Sequence, residues 1–160
     1  MTAPLTAPLR LCVRRRKTAD PGTQAPRVVI SIRVPTALDV IEEAVDLIAR
    51  HCLACGLPVR AARFNLRVAL CEALSNAIVY GNALDPHKDV DVEAIVSEET
   101  LQVHVQDEGD GFDPTRVPDP TTPDRLREET GRGLFLIRQL VDEVHFNDRG
   151  NAICMIMRRA

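Results

Sequence analysis

The sequence predicts an α+β fold, a two-layer sandwich with three helices on one face of a mixed, mainly antiparallel sheet. Three observations predict it. The elements read strand, helix, helix, strand, strand, loop, helix, strand, strand. Apolar residues alternate in the strands and recur at three- and four-residue intervals in the helices. The connections in the second half are short enough for hairpins.

Each element has its own signals. Arg27–Val34 reads as a strand in which Val28, Ile30, Ile32 and Val34 alternate, and Pro35 ends it. Thr36 and Asp39 have capping-box spacing, with Asp in place of Glu or Gln. The first helix follows, with Leu38, Ile41, Val45, Ile48 and Cys52 on one side, and Gly56 and Pro58 stop it. A second helix runs from about Val59 to Tyr80 and ends at Gly81-Asn82. Val90, Val92, Ala94 and Val96 mark one strand; Leu101, Val103 and Val105 mark the next. A long polar loop holding four prolines covers 107–130, and its length suggests a lid. Gly133–Val141 is the third helix, and 144–147 with 152–157 form a terminal hairpin around Asp148–Asn151.

The 160 residues are one domain's worth of chain. Residues 27–160 read as that domain. Residues 1–26, with four prolines and no periodicity, read as a flexible basic tail. The net charge is −3, yet residues 1–27 set Arg10, Arg14, Arg15, Arg16, Lys17 and Arg27 against Asp20 alone. The body is therefore acidic, which argues against nucleic acid as its ligand. With four Phe, one Tyr and no Trp, the core must be aliphatic and alanine-rich. No apolar run approaches the ~18 residues of a membrane span. Five cysteines without framework spacing fit a reduced, cytoplasmic protein.

Three segments carry chemistry. Glu72 and Asn76 share a face of the second helix within an apolar stretch. The amide oxygen suits magnesium and the carboxylate suits proton transfer, although a solvated pair is the plainer reading of either alone. Asp107-Glu-Gly109-Asp-Gly111 follows a strand directly; the acid can accept from an exocyclic amine, and the glycines permit a close backbone approach. Gly131-Arg132-Gly133-Leu134 opens an apolar helix, a ready phosphate site. It is neither a P-loop nor a dinucleotide fingerprint. Cys52 and Cys55 lack a second pair for zinc and read as packing residues.

In series, the three segments resemble the histidine-kinase/gyrase-type ATPase superfamily over about residues 27–158. The phrases Glu72-Ala-Leu-Ser-Asn-Ala77 and Gly131-Arg-Gly-Leu-Phe-Leu-Ile137 are similar to the anti-sigma-factor serine/threonine kinase branch. The resemblance implies the histidine-kinase-type fold, with ATP and Mg2+ as cofactors. It implies that Asn76 ligates magnesium, that Glu72 is the catalytic base, and that Asp107 binds adenine in a pocket shaped by Gly109 and Gly111. Gly131, Arg132, Gly133 and Leu134 would lie along the phosphates, under a lid at 114–130. Tyr80 departs from the family, where many relatives carry His. None of His51, His87, His104 and His145 lies on an upstream dimerisation helix, so histidine autophosphorylation is not expected.

The implied activity is phosphorylation of an anti-sigma-factor antagonist by a kinase that also sequesters a sigma factor in the cytoplasm. A homodimer is compatible with the resemblance. The alternatives are a switch kinase of a signalling scaffold that binds no sigma factor, and a non-catalytic nucleotide-dependent binding module.

Overall fold

The computed structural model describes residues 9–16, 27–113, 115 and 132–159. Six strands form one sheet: β1 (Arg10–Arg16), β2 (Arg27–Pro35), β3 (Asp89–Val96), β4 (Thr100–Gln106), β5 (Glu143–Phe146) and β6 (Ala152–Arg158). Their order in space is β1-β2-β3-β4-β6-β5. The α+β sandwich stands as expected, but every pairing among the described strands is antiparallel, so the sheet is not mixed. Connectivity explains this. Two helices, α1 (Ile41–Ala54) and α2 (Leu66–Asn76), separate β2 from β3, so the chain returns to the sheet running the other way. Among the described residues, α3 (Arg132–Leu140) is the one helix between β4 and β5, which would favour a parallel pair, but β6 inserts between them.

Residues 10–16 correct the expectation of an unstructured tail. They pair with β2 from Arg10↔Arg33 to Arg16↔Arg27 and form the sheet's edge. The segment Arg10-Leu-Cys-Val-Arg-Arg-Arg16 has no clean apolar alternation. Its strand state comes from the free edge of β2, a tertiary influence that local pattern does not report.

The sheet presents one apolar face to the helices. Ile30, Val34, Val90, Ala94, Leu101, Val103 and Met155 meet Ala44, Ile48, Leu66, Leu70, Leu74, Ile78 and Ile137, all fully buried. No aromatic residue belongs to this buried set among the described residues. Each fully buried Leu or Ile contributes about 1.5–3 kcal/mol, so the aliphatic core carries the domain.

The expected second helix is present but not uniform. Wide turns with i→i+5 bonding, at Ala61–Asn65 and Ala77–Gly81, flank α2. Such turns insert extra backbone into a helix and occur often at functional sites. The expected capping box does not form. Ala37 and Val40 cap without side-chain bonds. The Thr36 hydroxyl instead donates to the Lys88 carbonyl (2.5 Å) and accepts from Asn82 (2.9 Å), because residues distant in sequence offer it better partners than the next helix turn.

Candidate functional site

Glu72 and Asn76 lie on α2, half-buried, on the flank that faces α3. The approach is closest at Gly133. A β-carbon there would stand 2.8 Å from Glu72 Oε2 and 3.2 Å from Asn76 Nδ2. The absent side chain therefore leaves the room in which these two polar groups stand. Neither side chain forms a hydrogen bond among the described residues. The first and third segments, nearly sixty residues apart in sequence, thus share one place.

The second segment joins them through the end of the wide turn. A β-carbon on Gly81 would overlap the Asp107 carboxylate, and one on Gly109 would overlap the Gly81 carbonyl. Asp107 Oδ1 accepts the Gly109 N–H at 2.8 Å. Burial raises the Asp107 carboxyl above the usual carboxylate range, while the Gly109 N–H and the charges of Lys88 and Arg149 pull the other way. A partly desolvated acceptor is what recognition of an amine by hydrogen bonding requires.

Two asparagines fix this acid in place. Asn82 is fully buried. Its amide donates to Thr36 Oγ1 (2.9 Å) and the Asp89 carbonyl (3.0 Å), and its oxygen accepts the Glu108 N–H (2.8 Å). The residue binds the end of α2 to β2, β3 and the loop after β4. Asn151 exchanges two bonds with the Asp107 backbone: its carbonyl accepts the Asp107 N–H (2.9 Å) and its amide donates to the Asp107 carbonyl (3.1 Å). Asn147 in turn donates to Asn151 Oδ1 at 2.7 Å. The turn between β5 and β6 is therefore part of the site's frame.

Gly111 belongs to that frame. It has φ +83°, and a β-carbon there would overlap the Arg149 carbonyl. Gly150 meets Phe112 in the same way, and Phe112 packs edge-on against Phe146 with centroids 5.4 Å apart. Gly111, expected to shape the pocket, lies where the loop docks on the protein's own hairpin. Leu134 is buried at 7% exposure, so its side chain packs inward. Arg132 opens α3 and is exposed. Gly131 and all of 114–130 except Thr115 lie outside the described residues. Tyr80 is 70% exposed at the end of the wide turn.

The sequence reading missed Thr36, Asn147, Asn151 and Gly150 as site-building residues. Gly150-Asn151 signals a turn, and a turn signal does not name what the turn packs against.

Elsewhere, Cys52 is fully buried in the core, and desolvation pushes its thiol up to about 12. It is inert packing, as expected. No helix among the described residues is long and apolar enough to cross a membrane.

An antiparallel sheet with helices on one face, and a helix acid and amide set against a glycine of a second helix, define a nucleotide-binding class of domain. Residues 34–157 match the histidine kinase-like ATPase domain, and the chain belongs to that family. Among curated relatives it is similar to the serine-protein kinase RsbW of Bacillus subtilis, with 35% identity over 98 residues, 57% of this chain and 61% of the relative. The protein of the same name from Oceanobacillus iheyensis is 28% identical over 101 residues, 59% of this chain and 63% of the relative. An anti-sigma F factor from that organism is 29% identical over 82 residues, 49% of this chain and 56% of the relative. The matched segment thus spans less than two-thirds of each of these relatives.

Proposed function

We propose that this protein is an ATP-dependent protein serine/threonine kinase that also acts as an anti-sigma factor. The observation that carries this reading is the close packing of Gly133 on Glu72 and Asn76, next to the Gly81–Asp107–Gly109 contact. Membership of the ATPase family supports ATP as the phosphoryl donor. The names of the similar proteins, serine-protein kinase and anti-sigma F factor, support the target class.

In this reading Asp107 accepts the exocyclic amine of adenine. Gly131, Arg132, Gly133 and the Leu134 N–H lie along the phosphates at the start of α3. Asn76 fits a magnesium ligand, being an oxygen-bearing side chain without an internal partner beside a position kept free of side-chain bulk. Magnesium, when bound, would neutralise phosphate charge. Glu72 accepts the proton of a serine or threonine hydroxyl as that oxygen bonds to the γ-phosphorus and the bond to the leaving ADP oxygen breaks. Most of the rate gain then comes from positioning. The phosphoacceptor is a small anti-sigma-factor antagonist, and a sigma factor is the sequestered partner. A homodimer in the cytoplasm, with no nucleic acid on the acidic body, completes the proposal.

The test is transfer of the γ-phosphoryl group from labelled ATP to a cognate antagonist. Wild type should label the antagonist, and Glu72→Ala should bind nucleotide yet lose labelling. Equal labelling by Glu72→Ala would refute the base assignment. Nucleotide binding without any transfer by wild type would leave a binding module.

A further inference from the structure

The sheet face turned away from the helices carries a row of ligating side chains. Cross-strand register places Glu93 opposite His104, His104 opposite Cys154, and Cys154 opposite His145. Paired residues in antiparallel strands project to the same face. Met155 and Met157 point into the core, so Cys154, the residue just before Met155, points out. Three metal-binding side chains from β4, β6 and β5 therefore stand side by side, with the thiol in the middle.

The central pair is already close to coordination geometry. His104 Nε2 and Cys154 Sγ are 3.7 Å apart. Two such atoms bound tetrahedrally to one zinc ion, at bond lengths of about 2.1 and 2.3 Å, would be about 3.6 Å apart. His145 is the third member. Its Nε2 now lies 3.1 Å from Glu143 Oε2, and both side chains are well exposed. No three ligating groups are gathered among the described residues as they stand. To join the pair, His145 would have to turn away from Glu143 and give up a weak surface contact. A depression of about 510 Å³ beside the row, lined by Arg10, Ser31, Arg33, Asp91, Glu93 and His104, gives ions and water access.

We propose that His104, Cys154 and His145 form a binding site for a divalent cation of the zinc class on the open face of the sheet. The cation takes one thiolate and two neutral imidazoles and keeps its fourth position for water. Binding releases the Cys154 proton, which half-burial and the neighbouring Glu143 charge hold on the metal-free thiol. The site is separated from Glu72, Asn76 and Asp107 by the sheet itself, so it neither needs nor disturbs the kinase reading.

The experiment is titration of the untagged, nucleotide-free full chain with Co2+ and then with Zn2+. The expected result is one equivalent of Co2+ giving a thiolate charge-transfer band and the visible bands of tetrahedral cobalt, both abolished by excess Zn2+. Cys154→Ser should remove the charge-transfer band. His104→Gln and His145→Gln should each weaken Zn2+ binding at least tenfold. Because His145 is exposed on an edge strand, His145→Gln retains the fold and keeps the proposal testable if Cys154→Ser proves unstable. Cys71→Ser and Cys12→Ser should leave the band intact. Absence of stoichiometric binding, survival of the band in Cys154→Ser, or unchanged affinity in His145→Gln would each overturn the proposal.

Discussion

The two ends of the candidate site are built differently. Around Asp107 the protein is closed on itself: Asn82 and Asn151 each make several internal bonds, Gly81 admits the Asp107 carboxylate, and Gly109, Gly111 and Gly150 admit backbone where no side chain fits. Around Glu72 and Asn76 the protein is open, because their side chains form no hydrogen bond among the described residues and Gly133 leaves room beside them. The first end is preorganised for recognition, where a misplaced acceptor loses specificity. In the proposed function the second keeps its polar groups for a ligand and a reacting hydroxyl, and its assembly would be completed on binding.

That contrast can be broken by substitution, and the largest effect is expected at the closed end. Gly109→Ala drives a methyl group into the Gly81 carbonyl and should cost about 4 kcal/mol, because backbone on both sides must shift. A melting temperature within a degree or two of wild type would show that this end is looser than its contacts imply. Asn82→Ala leaves the Glu108 N–H and the Asp89 carbonyl without their partner and should cost about 3 kcal/mol, lowering the melting temperature by roughly 10 °C.

Asp107→Asn sharpens the comparison through its sign. The folded state raises the Asp107 pKa, so ionising it costs stability as pH rises. Asn keeps an oxygen for the Gly109 N–H and carries no charge. The variant should be more stable than wild type near pH 7, and the difference should vanish in acid, where both side chains are neutral. Calorimetric titration of the same variant should show ATP binding abolished, stability and recognition moving in opposite directions. At the open end the stability effects should be smallest. Asn76→Ala and Gly133→Ala should each stay within about 0.5 kcal/mol, since the added methyl of Gly133→Ala meets the side-chain ends of Glu72 and Asn76 and no backbone. Both should nevertheless lower phosphotransfer sharply, which thermal melts paired with label transfer will separate.

Much of this was legible in the sequence, and the contrast explains which parts. Glu72 and Asn76 stand out because polar residues interrupt an apolar helix, and Asp107 because an acid and two glycines end a clean strand. Those are local signals. Asn151 and Thr36 act through partners 44 and 46 residues away, and no periodicity encodes such a partner. The uniform antiparallel sheet was obscured for a related reason: a helix read between β4 and β5 suggests a parallel pair, and the insertion of β6 cancels it. Ala83 and Leu84, at φ 51° and 58°, follow the same logic. Neither residue favours the left-handed region, and they hold it because Asn82 is anchored just before them.

The edge strand β1 bears on how the molecule is handled. By sequence logic alone the chain would be trimmed to begin at Arg27. Such a product would expose the whole hydrogen-bonding edge of β2, a nine-residue strand rich in Val and Ile. A long, flat, apolar edge of that kind recruits other chains. As it stands, that edge is covered by a strand bearing Arg10 and Arg14, whose charges oppose further strand addition. The basic segment is thus a guard against aggregation, and shortened versions of this protein should keep it to remain soluble.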